Sequence, residues 1–202
     1  MTVFVLATHN QHKVDEFRAI LSQTVPDFDL VTYDGPEPVE DGDSFAANAL
    51  IKARAAAEHT GKPSLADDSG LAIDALDGAP GILSARWAGE PKSDARNLEL
   101  VLEQMSDVPE GMRGAAFVCC IAVAFPPMEG QPAREFTVEA HWRGNLTSHA
   151  RGQNGFGYDP IFIPDGYALT SAELDPQEKN AVSHRALALA LLSEKLNAPL
   201  SH

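Results

Sequence analysis

Cysteine is nearly absent: the 202 residues contain two, Cys119 and Cys120, adjacent in an apolar run. Consecutive strand residues point to opposite faces, so the pair offers no disulfide framework, and a reducing, cytoplasmic compartment is expected. Buried packing is the plain account of these thiols, with a reactive pair as the alternative. Long hydrophobic runs are also missing. Ala115 to Phe125 falls short of the ~18 residues that suggest a membrane span, and Pro126-Pro127 ends it. The opening MTVFVLATHN lacks the basic stretch and small-residue cleavage site of a secretory signal. Positive charge is in deficit, with 15 Lys+Arg against 29 Asp+Glu and a net charge of −14. No general field draws such a chain to nucleic acid or anionic lipid, so an anionic ligand must meet a local cationic pocket. Neither a G-x-x-x-x-G-K-[ST] loop nor a G-x-G-x-x-G fingerprint occurs.

What is present is an ordinary globular composition, 44% apolar and 22% charged. Val3 to Ala7 reads as a buried strand, and Val14, Phe17 and Leu21 then recur at helical spacing. Ser44 caps a second helix carrying Phe45, Ala49, Leu50 and Ala53, which Gly61 and Pro63 stop. A short strand at Ser64–Ala66 runs into an Asp67-Asp68-Ser69-Gly70 turn, followed by an apolar stretch to Leu76. Leu98, Val101, Leu102 and Met105 mark a third helix. Ala115–Phe125 and the alternating Phe136, Val138, Ala140 and Trp142 predict an antiparallel hairpin across Pro126–Pro132. A strand at Ile161–Ile163, a helix opening at the capping pattern Thr170-Ser171-Ala172-Glu173, and a terminal helix after His184 complete the series. With no repeat and no linker, residues 1–202 read as one interlocked α/β domain.

Four polar clusters can carry chemistry, and each has a plainer reading. Thr8-His9-Asn10-Gln11-His12-Lys13, where a strand hands over to a helix, suits phosphate oxygens or is simply a capped helix. Asp67-Asp68 needs positive charge beside it; a Mg²⁺ ion would serve, one carboxylate can accept a proton from water, and a solvated turn is the alternative. Gly155-Phe156-Gly157-Tyr158-Asp159-Pro160 alternates small residues with aromatics, as a stacked base or a structural turn requires. Lys179 and Ser183-His184-Arg185 place cations at a helix start, where the dipole disfavours them. They meet either an anionic ligand or Glu173, Asp175 and Glu178 at the surface.

Taken together, Thr8-x-Asn10-x-x-Lys13, Ser44-Phe45-x-x-Asn48-Ala49-x-x-Lys52-Ala53, Ala66-Asp67-Asp68-Ser69-Gly70-Leu71, Gly78-Ala79-Pro80-Gly81 with Ser84-Ala85-Arg86, Phe156-Gly157-Tyr158-Asp159-Pro160-Ile161-Phe162 and Lys179-x-x-x-Ser183-His184-Arg185 resemble the inosine triphosphate pyrophosphatase family of XTP/dITP diphosphatases. The motifs run in order from residue 8 to residue 185. The resemblance implies an elongated mixed β-sheet split into two lobes, with flanking helices and the active site in the cleft between them. It implies a homodimer and Mg²⁺-dependent hydrolysis of ITP, dITP and XTP to the monophosphate and pyrophosphate. Thr8, Asn10, Lys13, Lys52 and Ser69 would contact the triphosphate, and Asp68 would bind Mg²⁺ and serve as general base, with Asp67 on the same metal. Phe156 would stack on the base beside Gly157, Tyr158 and Asp159 would complete the pocket, and Lys179, His184 and Arg185 would read the base and its surroundings.

One departure bears on the metal. The family places an acidic residue just before the Asn of its second motif, and this chain has Ala47 before Asn48. Glu40, Asp41, Asp43 or water would have to fill that place. The alternative is a purine-nucleotide-binding protein with impaired catalysis. A nucleic-acid-binding module conflicts with the net charge.

Overall fold

The computed structural model describes residues 2–24, 28–128, 130 and 133–197. Strand β1 (Thr2–Leu6) leads into helix α1 (Gln11–Thr24), β2 (Phe28–Thr32), α2 (Phe45–Thr60) and β3 (Ser64–Ile73). Helix α3 (Asp94–Gln104), β4 (Gly114–Ala124), β5 (Glu135–Leu146), β6 (Phe162–Pro164), α4 (Pro176–Val182) and α5 (His184–Asn197) follow. The strands form a mixed sheet in the order β2-β1-β3-β4-β5-β6, flanked by helices. Its β1 runs parallel to β2 and β3, while β5 and β6 are antiparallel. Phe125 N–H donates to the Arg134 carbonyl and Leu146 N–H to the Arg113 carbonyl, so β4 and β5 form the expected antiparallel pair. The Pro126–Pro132 connection lies partly outside the described residues, as does the His12 side chain.

The chain packs as two compact units, Met1–Asp68 with Cys119–Ala140 and Arg185–His202, and Ser69–Val118 with His141–His184. In the first unit, strand alternation sorts side chains onto two faces. Phe4, Leu6, Cys119, Ile121 and Val123 pack with Val14, Phe17 and Leu21 of α1 and with Leu189 and Leu192 of α5. Val5, Ala7, Cys120, Ala122 and Ala124 meet Ala49, Ala53, Ala56 and Ala57 of α2. Helix α2 is held to its range by both ends: Ser44 Oγ accepts from Ala47 N–H at 3.2 Å, and Gly61, in the left-handed region at φ 64°, donates to the Ala57 carbonyl. The second unit has its own core of Leu71, Ile73, Val101, Met105, Phe117, Trp142, Ile161 and Phe162. Buried Arg113 ties this unit together, its guanidinium donating to the carbonyls of Met105, Val108, Leu146 and Thr147.

Three local expectations are corrected. Asp67-Asp68-Ser69-Gly70 is no turn; it lies inside the continuous strand β3, because both acids find buried partners that hold the chain extended. No helix opens at Thr170. Glu173 Oε2 does accept from Thr170 N–H at 2.8 Å, but Pro176 forces Asp175 into extended backbone (φ −61°, ψ 137°), and α4 starts there with the Asp175 side chain as its cap. The last strand begins at Phe162, since Asp159–Ile161 forms a 3₁₀ turn.

Candidate active site

β1 ends at Leu6, opposite Leu65 of β3, so Asp67 and Asp68 lie just past the last β1 pair, at the end of the strand where ligands of open α/β sheets bind. Adjacent in a strand, the two carboxylates face opposite ways and meet different partners. Asp67, with a fully buried side chain, accepts from Lys13 Nζ at 3.0 Å and lies 3.4 Å from Arg185 Nη2; Arg185 also pairs with Glu16. Burial alone would raise the Asp67 pKa, but Lys13, Arg185 and Lys52 overcome it and hold the group well below the usual carboxylate range. Asp68 accepts from Asn48 Nδ2 at 3.1 Å, and its Oδ1 is 3.7 Å from Lys52 Nζ. Here burial prevails over Lys52 and Asn48, and the pKa is raised. Burial works against the Lys52 charge, yet Asp67, Asp68 and Glu40 more than offset it and raise its pKa.

Strand alternation turns the two carboxylates toward different partners, Asp67 to Lys13 and Arg185 and Asp68 to Asn48 and Lys52. Thr8 and Asn10 shape the turn before α1: Thr8 Oγ1 accepts from Asn10 N–H at 3.1 Å, and Asn10 Oδ1 from Lys13 N–H at 3.4 Å. For Mg²⁺, the donor set fits in chemistry: Asp68 offers a hard oxygen, and Glu40 Oε1 shares the same Lys52 ammonium at 2.9 Å. Among the described residues no three His, Cys, Asp or Glu side chains gather as a ready cage.

The second unit carries Ser69, half-buried at its first residue, and the aromatic loop. Phe156 is 36% exposed, whereas Tyr158 is buried, and its hydroxyl donates to the Ser84 carbonyl at 2.8 Å. Tyr158 thus packs into the core of the second unit. Asp159 is buried as well. Its Oδ2 accepts from Phe156 N–H at 2.9 Å and from Lys179 Nζ at 2.6 Å, and its Oδ1 from Ser171 Oγ at 2.8 Å. Gly155 has to be glycine: its φ is +75°, and a Cβ there would strike Asp159 Oδ2. Gly157 N–H donates to Asp94 Oδ2 at 3.1 Å. Lys179 Nζ stands 5.5 Å from the Phe156 ring centroid, so its partners are Asp159 and an aromatic face rather than Glu173, Asp175 or Glu178. His184 is buried, stacked on Phe117 at 5.0 Å and 16°. Arg185, one residue on, belongs with Asp67.

Sequence reasoning did not single out Glu16, Asp94 or Ser171. Glu16 lies one helical turn after Lys13, a weak signal that it faces the same cluster, while Ser171 was hidden in a misread cap.

In the first unit, a carboxylate pair in contrasting surroundings, flanked by lysines just past the end of β1, is chemically equipped for hydrolysis of a phosphorylated ligand. The second unit, taken by itself, offers an exposed aromatic over a buried lysine, the chemistry that receives a flat ring. The sequence model of the Ham1 family matches residues 4–195, and the chain belongs to this family. It is similar to the dITP/XTP pyrophosphatase of Leifsonia xyli subsp. xyli, 53% identical over 198 residues covering 98% of this chain and 97% of that protein. It is also similar to the dITP/XTP pyrophosphatase of Mycobacteroides abscessus, at 50% identity with 93% and 91% covered. Among solved structures, a HAM1 protein from Coxiella burnetii has a TM-score of 0.87 at 42% identity, covering 98% of this chain and 100% of that one.

Proposed function

We propose that the chain hydrolyses non-standard purine nucleoside triphosphates, ITP, dITP and XTP, to the monophosphate and pyrophosphate, acting over residues 1–202 as one functional domain. The observation that carries this reading is the division of labour between adjacent acids, Asp67 paired with Lys13 and Arg185 and Asp68 held by Asn48 with its other oxygen toward Lys52. The names of the relatives agree with it. We assign Asp68 as the general base on the attacking water, its orientation fixed by Asn48 and its basicity increased by burial. Bound Mg²⁺ would supply charge neutralisation on the phosphates, held by Asp68.

Asp67 acts differently: it pins Lys13 and Arg185. An ammonium has three N–H donors, so Lys13 can serve Asp67 and still offer a donor to phosphate. Lys52 offers another, and the turn at Thr8 and Asn10 adds hydroxyl and amide groups beside a helix start. The developing charge on pyrophosphate meets these fixed positive groups, so positioning and electrostatics carry the step without a covalent intermediate. In the second unit, Phe156 is the stacking face, a contact of ~1–3 kcal/mol per base. Asp159 fixes that ring and Lys179 together. A donor aimed at a 6-oxo group meets the amino group of adenine with the wrong polarity, and leaving it unpaired costs ~1–3 kcal/mol.

A homodimer in the cytoplasm is part of the same reading, and among the described residues no helix is long and apolar enough to cross a membrane. Phosphorus NMR of an ITP digest tests the chemistry. Inosine monophosphate and pyrophosphate are expected; inosine diphosphate and orthophosphate would contradict the proposal, and tight ITP binding without products would favour the impaired binder.

A further inference from the structure

Phe156, the stacking face proposed above, is not closely packed on every side. Its loop and the first turns of α3 line an open hollow of about 440 Å³, with Asp94, Leu98 and Glu99 from the helix and Phe156 and Pro160 from the loop. A ring that borders such a space lacks packing partners on that side, so its setting depends on what fixes the peptides beside it. Before the ring, Gln153 N–H and Asn154 N–H donate to the Ala172 carbonyl at 3.2 and 3.0 Å, and Asn154 Nδ2 donates to the Leu174 carbonyl at 3.0 Å. After the ring, Gly157 N–H crosses to α3, where Asp94 Oδ2 accepts it at 3.1 Å.

Asp94 is a firm point from which to hold the loop. Ser93 Oγ caps the helix by accepting from Arg96 N–H at 3.4 Å, Asn97 Oδ1 accepts from Ala88 N–H at 2.8 Å, and Arg96 Nη2 donates to the Ala88 carbonyl at 2.9 Å. The first turn of α3 is thereby fastened to the chain that precedes it. A carboxylate in that turn has a plainer use, a favourable interaction with the helix dipole. That use needs no partner 63 residues away, and the bond to Gly157 supplies one.

We infer that Asp94 is a positioning residue for purine recognition, setting the Phe156 ring by holding Gly157 N–H from α3; this rests on the reading of Phe156 as the stacking face. Asp94 acts through the peptide after Phe156 and not on the reacting atoms. Its effect falls on the base, which is bound alike in the ground and transition states. Loss of such uniform binding raises KM and leaves kcat unchanged.

Pyrophosphate release from ITP by the full-length protein, with KM and kcat separated, tests the role. Asp94→Ala removes the acceptor and should raise KM about three- to tenfold at near-wild-type kcat, without a large fall in melting temperature. Asp94→Asn keeps an acceptor oxygen and gives up the charge, so it should recover the wild-type KM. Glu99→Ala removes a carboxylate from the same hollow and should leave KM as it is. In a Phe156→Ala background, Asp94→Ala should add nothing, because the ring it sets is gone. Unchanged KM in Asp94→Ala, with KM raised in Phe156→Ala, overturns the Asp94 role alone. A rise that Asp94→Asn or Glu99→Ala shares equally overturns it too, since charge rather than the hydrogen bond would then be responsible. So does an effect that adds in full to Phe156→Ala, or a loss of kcat that follows the melting temperature. Wild-type KM in Phe156→Ala, or no release by the wild type, overturns the reading beneath and the Asp94 role with it.

Discussion

At Asp68, burial and neighbouring charge pull against each other, and burial wins, so the ionised carboxylate that the chemistry needs is unfavourable for folding. Its folded pKa lies above the unfolded value of ~3.9, so ionisation opposes folding increasingly as pH rises past that value. Asp68→Asn should therefore lower turnover by roughly 10²–10⁴ yet raise the melting temperature at pH 7, a gain that fades in acid. Calorimetry and steady-state rates on one preparation check both. Asp67 has the opposite sign. Its folded pKa is depressed, so its ionisation contributes stability that is fully present above the unfolded value and is lost as pH falls through the folded one. Asp67→Asn leaves half-buried Lys13 without its carboxylate and buried Arg185 with Glu16 alone, and should cost about 3–5 kcal/mol at pH 7, a deficit that shrinks below about pH 4. Urea unfolding at several pH values measures it. The motifs brought Asp67, Asp68, Lys13 and Lys52 to notice, but which cation serves which acid depends on the two faces of β3. Glu16 and Glu40 gain their places only through partners distant in sequence.

Among the elements, those legible in sequence carry their own start, period and stop. Helix α2 is the clearest case, with the Ser44 cap, a row of alanines and Gly61. Ser44→Ala removes an acceptor from Ala47 N–H and should cost about 1 kcal/mol, measured by chemical denaturation, and should also loosen the segment that leads into Asn48. The pair β4 and β5 is equally plain, because β4 is apolar on both faces while β5 alternates. Two segments were not legible for the same physical reason. Asp67-Asp68-Ser69-Gly70 has the composition of a turn, and long-range ion pairs keep it a strand. Thr170-Ser171-Ala172-Glu173 makes one capping hydrogen bond and goes no further, since Asp159 draws Ser171 away and Pro176 resets the chain.

For the whole molecule, a net charge of −14 means that the anion recognition proposed above would fall to a few buried or half-buried cations, Lys13, Lys52, Lys179 and Arg185. The two cysteines report on integrity at this scale. Both are fully buried, and burial, with Glu139 and Cys119 nearby, pushes the Cys120 thiol up to about 12. Thiol labelling at pH 8 should therefore track global unfolding, and rapid labelling of the native protein would contradict the packing described. The central claim, a site selective for non-standard purine triphosphates and served by a divalent cation, is tested most directly by pyrophosphate release from ITP, dITP, XTP, ATP and GTP, with and without Mg²⁺. Fast, Mg²⁺-dependent release from the first three and slow release from ATP and GTP is the predicted result; equal rates on all five, or rates indifferent to Mg²⁺, would contradict it.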